Sequence, residues 1–265
     1  MRQLVIVSVT VIALLVTTDA SVRAQAPAPA QQAQTPETPQ EEWSTTEHSH
    51  RVGGQTIPYA AKAGTTTIRN DEGEVTGLMY SVSYVHSDVP DASTRPVTFL
   101  FNGGPGSASM WLHMGSVGPK RVVTTNGQYT PPAPYAVVDN SETLLHRTDL
   151  VFIDAMGTGF SRIAGKGTDK DFYGVDGDAN AFAQFITTWL SRNGRWNSPK
   201  FIIGESYGTF RAAVVANVLQ QRGVHLHGQV LAGTERPADP PEHHQTLITR
   251  RLLHPPTTAA GRRLV

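Results

Sequence analysis

The chain of 265 residues contains no cysteine, which excludes a disulfide framework, a thiolate nucleophile and every cysteine-ligated zinc or iron–sulfur centre. Covalent catalysis must then come from serine, threonine, lysine or a carboxylate. There is no excess of charge: Lys+Arg 22 balances Asp+Glu 22. The basic footprint of a nucleic-acid binder is missing, and nucleic acid is not an expected partner. No apolar run reaches the about 20 residues that a membrane-spanning helix takes. No internal repeat is visible, and no aromatic residue follows Phe210. Core material is present: hydrophobic residues make up 39% before the 24 glycines are counted, close to the roughly 45–50% apolar share of globular proteins once they are. The length suits one large domain or two small ones.

The apolar run Leu4–Val16 is followed by the small-x-small pattern Ala24-Gln25-Ala26. Residues 1–26 read as a secretory signal, with an uncleaved anchor as the alternative. No stable membrane insertion is expected after cleavage, and export without cysteine suits a bacterial periplasmic or secreted protein. Residues 27–42 are rich in Pro, Gln and Ala without a large apolar side chain, so they read as a flexible linker. From Trp43 to Tyr84, short β-prone runs (Gln55–Tyr59, Thr65–Ile68, Leu78–Val85) are separated by Gly53-Gly54 and Asn70-Asp71-Glu72-Gly73. An antiparallel β-meander is expected there.

After Pro96 strands alternate with helices. Val97–Phe101, Asp149–Asp154, Lys200–Ile203 and Gln229–Ala232 are buried-type strands. Between the second and third, Phe182, Phe185, Ile186, Trp189 and Leu190 form one apolar helical face, with Asp178 as the expected cap and an end near Gly194. Phe210, Val214, Val215, Val218 and Leu219 mark a further helix closing at Arg222-Gly223. The pattern predicts an α/β fold: a mostly parallel sheet with helices on both faces.

Gly204-Glu205-Ser206-Tyr207-Gly208 is a G-x-S-x-G motif between a strand and a helix. A tight strand-to-helix turn there pushes the Ser206 side chain out of the sheet edge, while small residues two positions either side let the backbones approach. The helix start offers the Tyr207 N–H and a favourable dipole to a developing oxyanion. An ordinary strand-to-helix turn is the competing reading. About a hundred residues upstream, Asn102-Gly103-Gly104-Pro105-Gly106 ends another strand, where α/β-hydrolases place a second oxyanion donor. A plain loop competes, and so, more weakly, does a dinucleotide fingerprint, in which Ser109 would stand at the place of the third glycine with no helix start suitably placed after it. The pairs His48/His50 and His225/His227 have ligand-like spacing, and His113 lies in the loop after the glycines, but no third ligand accompanies them. Neither metal nor cofactor is expected.

The blocks FLFNGGPGSASMW (99–111), TDLVFIDAMGTGFSR (148–162) and FIIGESYGTFRAA (201–213) resemble, in order and spacing, the three signature blocks of the serine carboxypeptidase family. The likeness runs roughly from Trp43 to Ala232, and residues 43–233 are identified as the N-terminal part of such a domain. The resemblance implies an α/β-hydrolase that removes C-terminal residues from peptides, usually best at acidic pH. By position it makes Ser206 the nucleophile and the Gly104 and Tyr207 amides the oxyanion hole, and has Asn102, Gly103 and Glu205 recognise the substrate's terminal carboxylate. Two positions depart from the family pattern. Ser116-Val117-Gly118-Pro119 stands where relatives place a second glutamate before Leu-Gly-Pro, and Ser107 stands where many carry cysteine.

Such a fold orders its triad as Ser, Asp, His, with the last two on later loops. No acid and base of that kind are recognisable after Ser206. Residues 234–265, with five Arg, five Pro, one Gly and no Lys, read as a disordered, atypical tail, from a reading-frame shift first, natural truncation or a divergent compact domain after it. Asp239 with His243, His244 or His254 is the remaining candidate pair. The tail's Arg250-Arg251 and Arg262-Arg263 read as solvated charge. Two function classes follow: an exported serine peptidase acting on peptides, with esterase or acyltransferase chemistry as a variant, and an inactive or binding-only relative that keeps Ser206 without its base.

Overall fold

The computed structural model describes residues 39–124 and 133–233, and the backbone of 249–251. The predicted signal, the predicted linker up to residue 38, and the tail apart from three residues lie outside the described residues. The strands are β1 (Trp43–Val52), β2 (Gln55–Arg69), β3 (Val75–His86), β4 (Val97–Phe101), β5 (Lys120–Val122), β6 (Val137–Asp139), β7 (Asp149–Ile153), β8 (Arg162–Ile163), β9 (Lys200–Glu205), β10 (Gly228–Ala232) and β11 (Thr249–Arg251). The helices are α1 (Met110–Leu112), α2 (Asp169–Phe172), α3 (Val175–Arg192) and α4 (Tyr207–Gln221), with a π-helical turn over His113–Val117 directly after α1.

One sheet carries the order β1-β2-β3-β7-β4-β9-β10-β11, with β8 paired beside β3, and β5 and β6 form a separate pair. The meander predicted from Trp43 onward is there. The runs at 55–59 and 65–68 are one continuous strand, β2, because Lys62 and Gly64 pair in register with Ser83 and Ser81 of β3. Strands β7, β4, β9 and β10 run parallel, while β3 meets β7 and β11 meets β10 antiparallel. The sheet is thus mixed, parallel at its centre and antiparallel at its flanks, as the hairpin-linked meander requires. Three residues of the tail expected to be disordered form β11.

The central strands are apolar on both faces. Val97, Phe99 and Phe101 of β4 face α3 and α4 with Phe182, Phe185, Trp189, Val215 and Leu219. Leu100 faces the other way with Leu150, Phe152 and Ile203, where Tyr59, Tyr84, Leu112 and Leu145 cover it. The two long helices therefore share one face, and the opposite face is closed by α1, the π-helical turn and the segment before β7. Phe99 meets Trp189 edge-on at 5.5 Å, and Phe101 meets Phe182 at 4.8 Å.

Two helix readings need correction. Gly174, not Asp178, is the N-cap of α3; Asp178 lies inside the first turn with its carboxylate turned to α4. On α4 the buried stripe is Arg211, Ala212, Val215 and Leu219, and Phe210 is exposed. Glu41, within the stretch expected to be a linker, is tied to β2 and α3. Glu41 accepts from the Thr67 N–H and hydroxyl, both at 2.7 Å, and from Arg192 at 2.6 and 2.9 Å. Burial pushes the Glu41 carboxyl up, but these donors outweigh it and hold the group down to about 2.

At the start of β7, Asp149 is fully buried. It accepts from Arg195 at 2.5 Å, Arg95 at 2.7 Å and the His86 N–H at 3.0 Å. Arg195 also donates to the Arg95 carbonyl at 2.7 Å and to Ser198 at 2.7 Å, so one carboxylate ties three segments beneath the sheet. Removing one partner of a buried ion pair leaves the other charge uncompensated. Asp149→Ala is expected to lower unfolding free energy by about 3–5 kcal/mol, as measured by urea denaturation at neutral pH; a loss within experimental scatter refutes this reading.

On the opposite face His113 stacks on Phe152 (4.4 Å, 20°), and its Nε2 lies 2.6 Å from the Tyr84 hydroxyl. Removal from water holds this imidazole down to about 4. In the unfolded chain it titrates near ~6.5, so its contribution to stability is complete above that pH and is lost as pH falls toward 4. The loss amounts to about 3 kcal/mol at ~1.4 kcal/mol per pH unit. His113→Gln keeps a polar partner for Tyr84 without a titrating proton, and should flatten the stability slope between pH 6.5 and 4; an unchanged slope in paired denaturation series excludes this role.

Candidate functional site: a serine elbow against a glycine-rich turn

The site grows from one register. Phe101 at the end of β4 pairs with Gly204 of β9, so the residues that follow, Asn102-Gly103 and Glu205-Ser206, emerge side by side. Ala232 of β10 flanks Glu205 on its other side, and its carbonyl accepts from the Ser206 N–H at 2.9 Å. Ligands of open α/β sheets bind at these carboxyl ends.

Ser206 has φ 57° and ψ −126° and is the only non-glycine residue with positive φ among the described residues. This conformation suits glycine, and an L-residue holds it only where the surroundings impose it. Here α4 begins at once: the Thr209 N–H donates to the Ser206 carbonyl at 2.9 Å. The turn is tight enough that a side chain on Gly204 would strike the first turn of α4, its Cβ lying 3.0 Å from the Thr209 nitrogen. The serine itself is exposed. Backbone strain and an accessible hydroxyl thus coincide, as a nucleophile elbow requires.

Gly103 packs backbone to backbone against the elbow. A Cβ there would lie 2.7 Å from the Gly208 nitrogen and 2.8 Å from the Glu205 carbonyl oxygen. The Gly103 carbonyl accepts from the Ser107 N–H at 3.0 Å. In a trans peptide the C=O and N–H point opposite ways, so this bond turns the Gly104 N–H away from Ser107. Tyr207 is the first residue of α4 and has no intrahelical acceptor. Among the described residues, neither the Gly104 nor the Tyr207 amide donates to a protein acceptor. Two undonated amides at a strained, exposed serine can stabilise a negative oxygen.

Asn102 is buried; its side-chain amide donates to Glu205 Oε2 at 2.9 Å, and its Oδ1 accepts from the Leu112 N–H at 3.1 Å. The three residues expected to take a terminal carboxylate, Asn102, Gly103 and Glu205, are therefore adjacent to one another. Ser116 lies just past them in the π-helical turn, its carbonyl accepting from Asn140 at 2.6 Å.

Sequence reasoning missed Arg211 and the role of Asp178. Arg211 is buried on α4 and donates to Asp178 at 2.6 Å, to the Asn102 carbonyl at 2.6 Å and to the Pro105 carbonyl at 3.0 Å. Burial outweighs the neighbouring cation for Asp178 and pushes its carboxyl up. The available signal was a cation at the i−4 position of a stripe continuing through Val215 and Leu219. Asp154 was missed too: it accepts from the Ser109 N–H at 2.8 Å and hydroxyl at 2.7 Å, fixing the start of α1. Beside Tyr207 and Arg211 opens a cleft of about 320 Å³, walled by Pro105, Met156, Phe172 and Tyr173.

All seven described histidines are engaged elsewhere. His48 bonds Thr46, His50 the Asn140 carbonyl, His86 the Asp88 N–H, His113 Tyr84, and His146 the Thr143 carbonyl. His227 accepts from the Lys200 N–H, and His225 packs against its ring. The pair 225/227 precedes β10 and so sits at the sheet end opposite Ser206. Asp239, His243, His244 and His254 lie outside the described residues.

The strain at Ser206 is measurable. Ser206→Gly should be more stable than Ser206→Ala by about 1 kcal/mol, since relief of the backbone strain exceeds the entropy glycine adds to the unfolded chain. Equal urea midpoints for the two variants exclude strain at this position.

Comparison with known proteins agrees with this geometry. The serine carboxypeptidase family profile matches residues 37–229. The pheromone-processing carboxypeptidase KEX1 of Candida dubliniensis is 29% identical over 136 residues, which cover 51% of this chain and 18% of that protein. The crystal structure of a prohormone-processing carboxypeptidase from Saccharomyces cerevisiae superposes with a TM-score of 0.52 at 20% identity, over 66% of this chain and 38% of that one. The chain thus spans well under half the length of these relatives, and the structural likeness identifies the α/β-hydrolase fold. With a match over most of its length and that fold, the chain belongs to the serine carboxypeptidase family.

Proposed function

We propose that the chain carries the nucleophile half of an exported serine carboxypeptidase acting on peptides. The observation that carries this reading is the exposed, strained Ser206 packed against the Gly103-Gly104 turn. Ser206 Oγ attacks the carbonyl of the last peptide bond, its proton passing to a base, and the carbonyl oxygen becomes an oxyanion held by the Gly104 and Tyr207 amides. Collapse of that intermediate, with the protonated base giving its proton to the leaving nitrogen, expels the C-terminal residue as the amine and leaves an ester on Ser206; water, losing a proton to the same base, hydrolyses the ester, and that proton restores the serine hydroxyl. Asn102, Gly103 and Glu205 take the terminal carboxylate. The apolar cleft beside Tyr207 has room for a substrate side chain. The predicted signal at residues 1–26 supports export to a periplasm or the medium, and no helix among the described residues is long and apolar enough to cross a membrane.

A second reading, a weakly active or binding-only chain, is favoured by the seven described histidines, each occupied away from Ser206. Without a base a serine stays a poor nucleophile; in well-studied triads losing the base costs about a million-fold, while oxyanion hole and binding keep roughly 10³–10⁴ over water. A fluorophosphonate probe should label Ser206 alone, slowly, and labelling that persists in Ser206→Ala overturns the assignment. Hydrolysis of a blocked dipeptide between pH 4 and 8 should stay near background. A bell-shaped profile that vanishes in Ser206→Ala overturns the weak-turnover reading, and directs attention to Asp239 with His243, His244 or His254.

A further inference from the structure

We propose that Arg211 is a positioning residue that fixes the glycine-rich turn, and that its planar fork, not merely its charge, is what the site needs. The inference rests on the Ser206–Gly104–Tyr207 reading above and deepens it.

The guanidinium lies one helical turn beyond the elbow. It reaches two carbonyls, those of Asn102 at 2.6 Å and Pro105 at 3.0 Å, which bracket Gly103 and Gly104. Between them the Gly103 carbonyl is held by the Ser107 N–H. Three of the four carbonyls from Asn102 to Pro105 thus have fixed directions, and the peptide carrying the Gly104 N–H cannot rotate independently. Gly104 itself has φ +106°, a conformation with no side chain to restrain it, so orientation must come from outside the turn.

The other contacts of Arg211 serve the same geometry. Asp178 balances the charge through Nε at 2.6 Å, which leaves both terminal nitrogens free for carbonyls. The rings of Phe182, Tyr207 and Phe101 stand 4.9, 5.4 and 5.9 Å from the guanidinium carbon, and enclose the group. Tyr207 supplies the second oxyanion amide, so one side chain touches one residue of the hole and the two carbonyls that flank the turn carrying the other. An ion pair with Asp178 alone would need none of the carbonyl contacts.

The discriminating variant is Arg211→Lys. It keeps a cation for Asp178 but replaces the fork with a single point charge that does not span both carbonyls. In the full chain, the melting temperature is expected to stay near wild type, while the fluorophosphonate labelling rate of Ser206 falls about 10- to 100-fold, short of the 10²–10³ lost when an oxyanion donor is deleted. Amide hydrogen exchange at Ser107 should accelerate, with protection in β9 and α4 retained. Arg211→Met should show the same local change together with a lower melting temperature. Unchanged Ser107 exchange in Arg211→Lys overturns the proposal, as does labelling at the wild-type rate. If wild type itself is not labelled at Ser206, the catalytic reading fails, and Ser107 exchange still decides whether Arg211 holds the turn.

Discussion

The site depends on one close approach: the backbone of Gly103 lies against the first turn of α4, nearer than any side chain would permit. Parallel pairing of β4 with β9 in the register Phe101↔Gly204 creates that approach. Everything chemical follows from it. The Asn102 side chain finds Glu205, the glycine-rich turn lies against the residues that follow the serine, and the turn becomes reachable by Arg211 from the helix below. A shift of one residue in this register would send alternate apolar residues of β4 to the wrong face and part the two halves of the site. The apolar core on both faces of β4 is therefore also what aligns the site.

Much of this was legible in the sequence because several independent periodicities agreed. The apolar runs at 97–101, 149–153 and 200–203 lie in central strands, and Phe182, Phe185, Ile186, Trp189 and Leu190 are all buried on α3. Placement of Ser206 followed from small residues at fixed offsets, a backbone requirement that sequence displays openly. What escaped was governed by tertiary contacts. Asp178 looks like a cap from its position before an apolar face, yet α2 already occupies Asp169–Phe172, and Gly174 caps α3, which begins at Val175. Phe210 was expected in the core, but the strained entry to α4 sets the phase of the helix and gives that place to Arg211, whose charge is met by Asp178. Glu41 read as linker because its partners, Thr67 and Arg192, are far away in sequence.

The family assignment and the geometry speak to different levels. The match over residues 37–229 establishes ancestry, and the superposition establishes the fold. Chemistry has to be argued from the site, where backbone strain and exposure coincide at Ser206 and a glycine-rich turn packs against the elbow. The residues that shape the turn, Arg211 with Asp178 and Asp154 with Ser109, hold it through carbonyls and amides without reaching the serine themselves. They mark the difference between possessing a motif and presenting it.

The place of β4 in the sheet has a bearing on biosynthesis. Both of its neighbours, β7 and β9, come later in the chain. At the ~5–20 residues per second of translation, the run Val97–Phe101 waits about 3–10 s for β7 and roughly twice as long for β9. During that interval five consecutive residues, all buried in the finished molecule and none of them charged, have no partner strand on either side. Such a segment is a template for intermolecular pairing. The nascent chain is thus open to aggregation through the strand that later carries the glycine-rich turn, and a holdase that shields residues 97–101 until β9 emerges would protect yield.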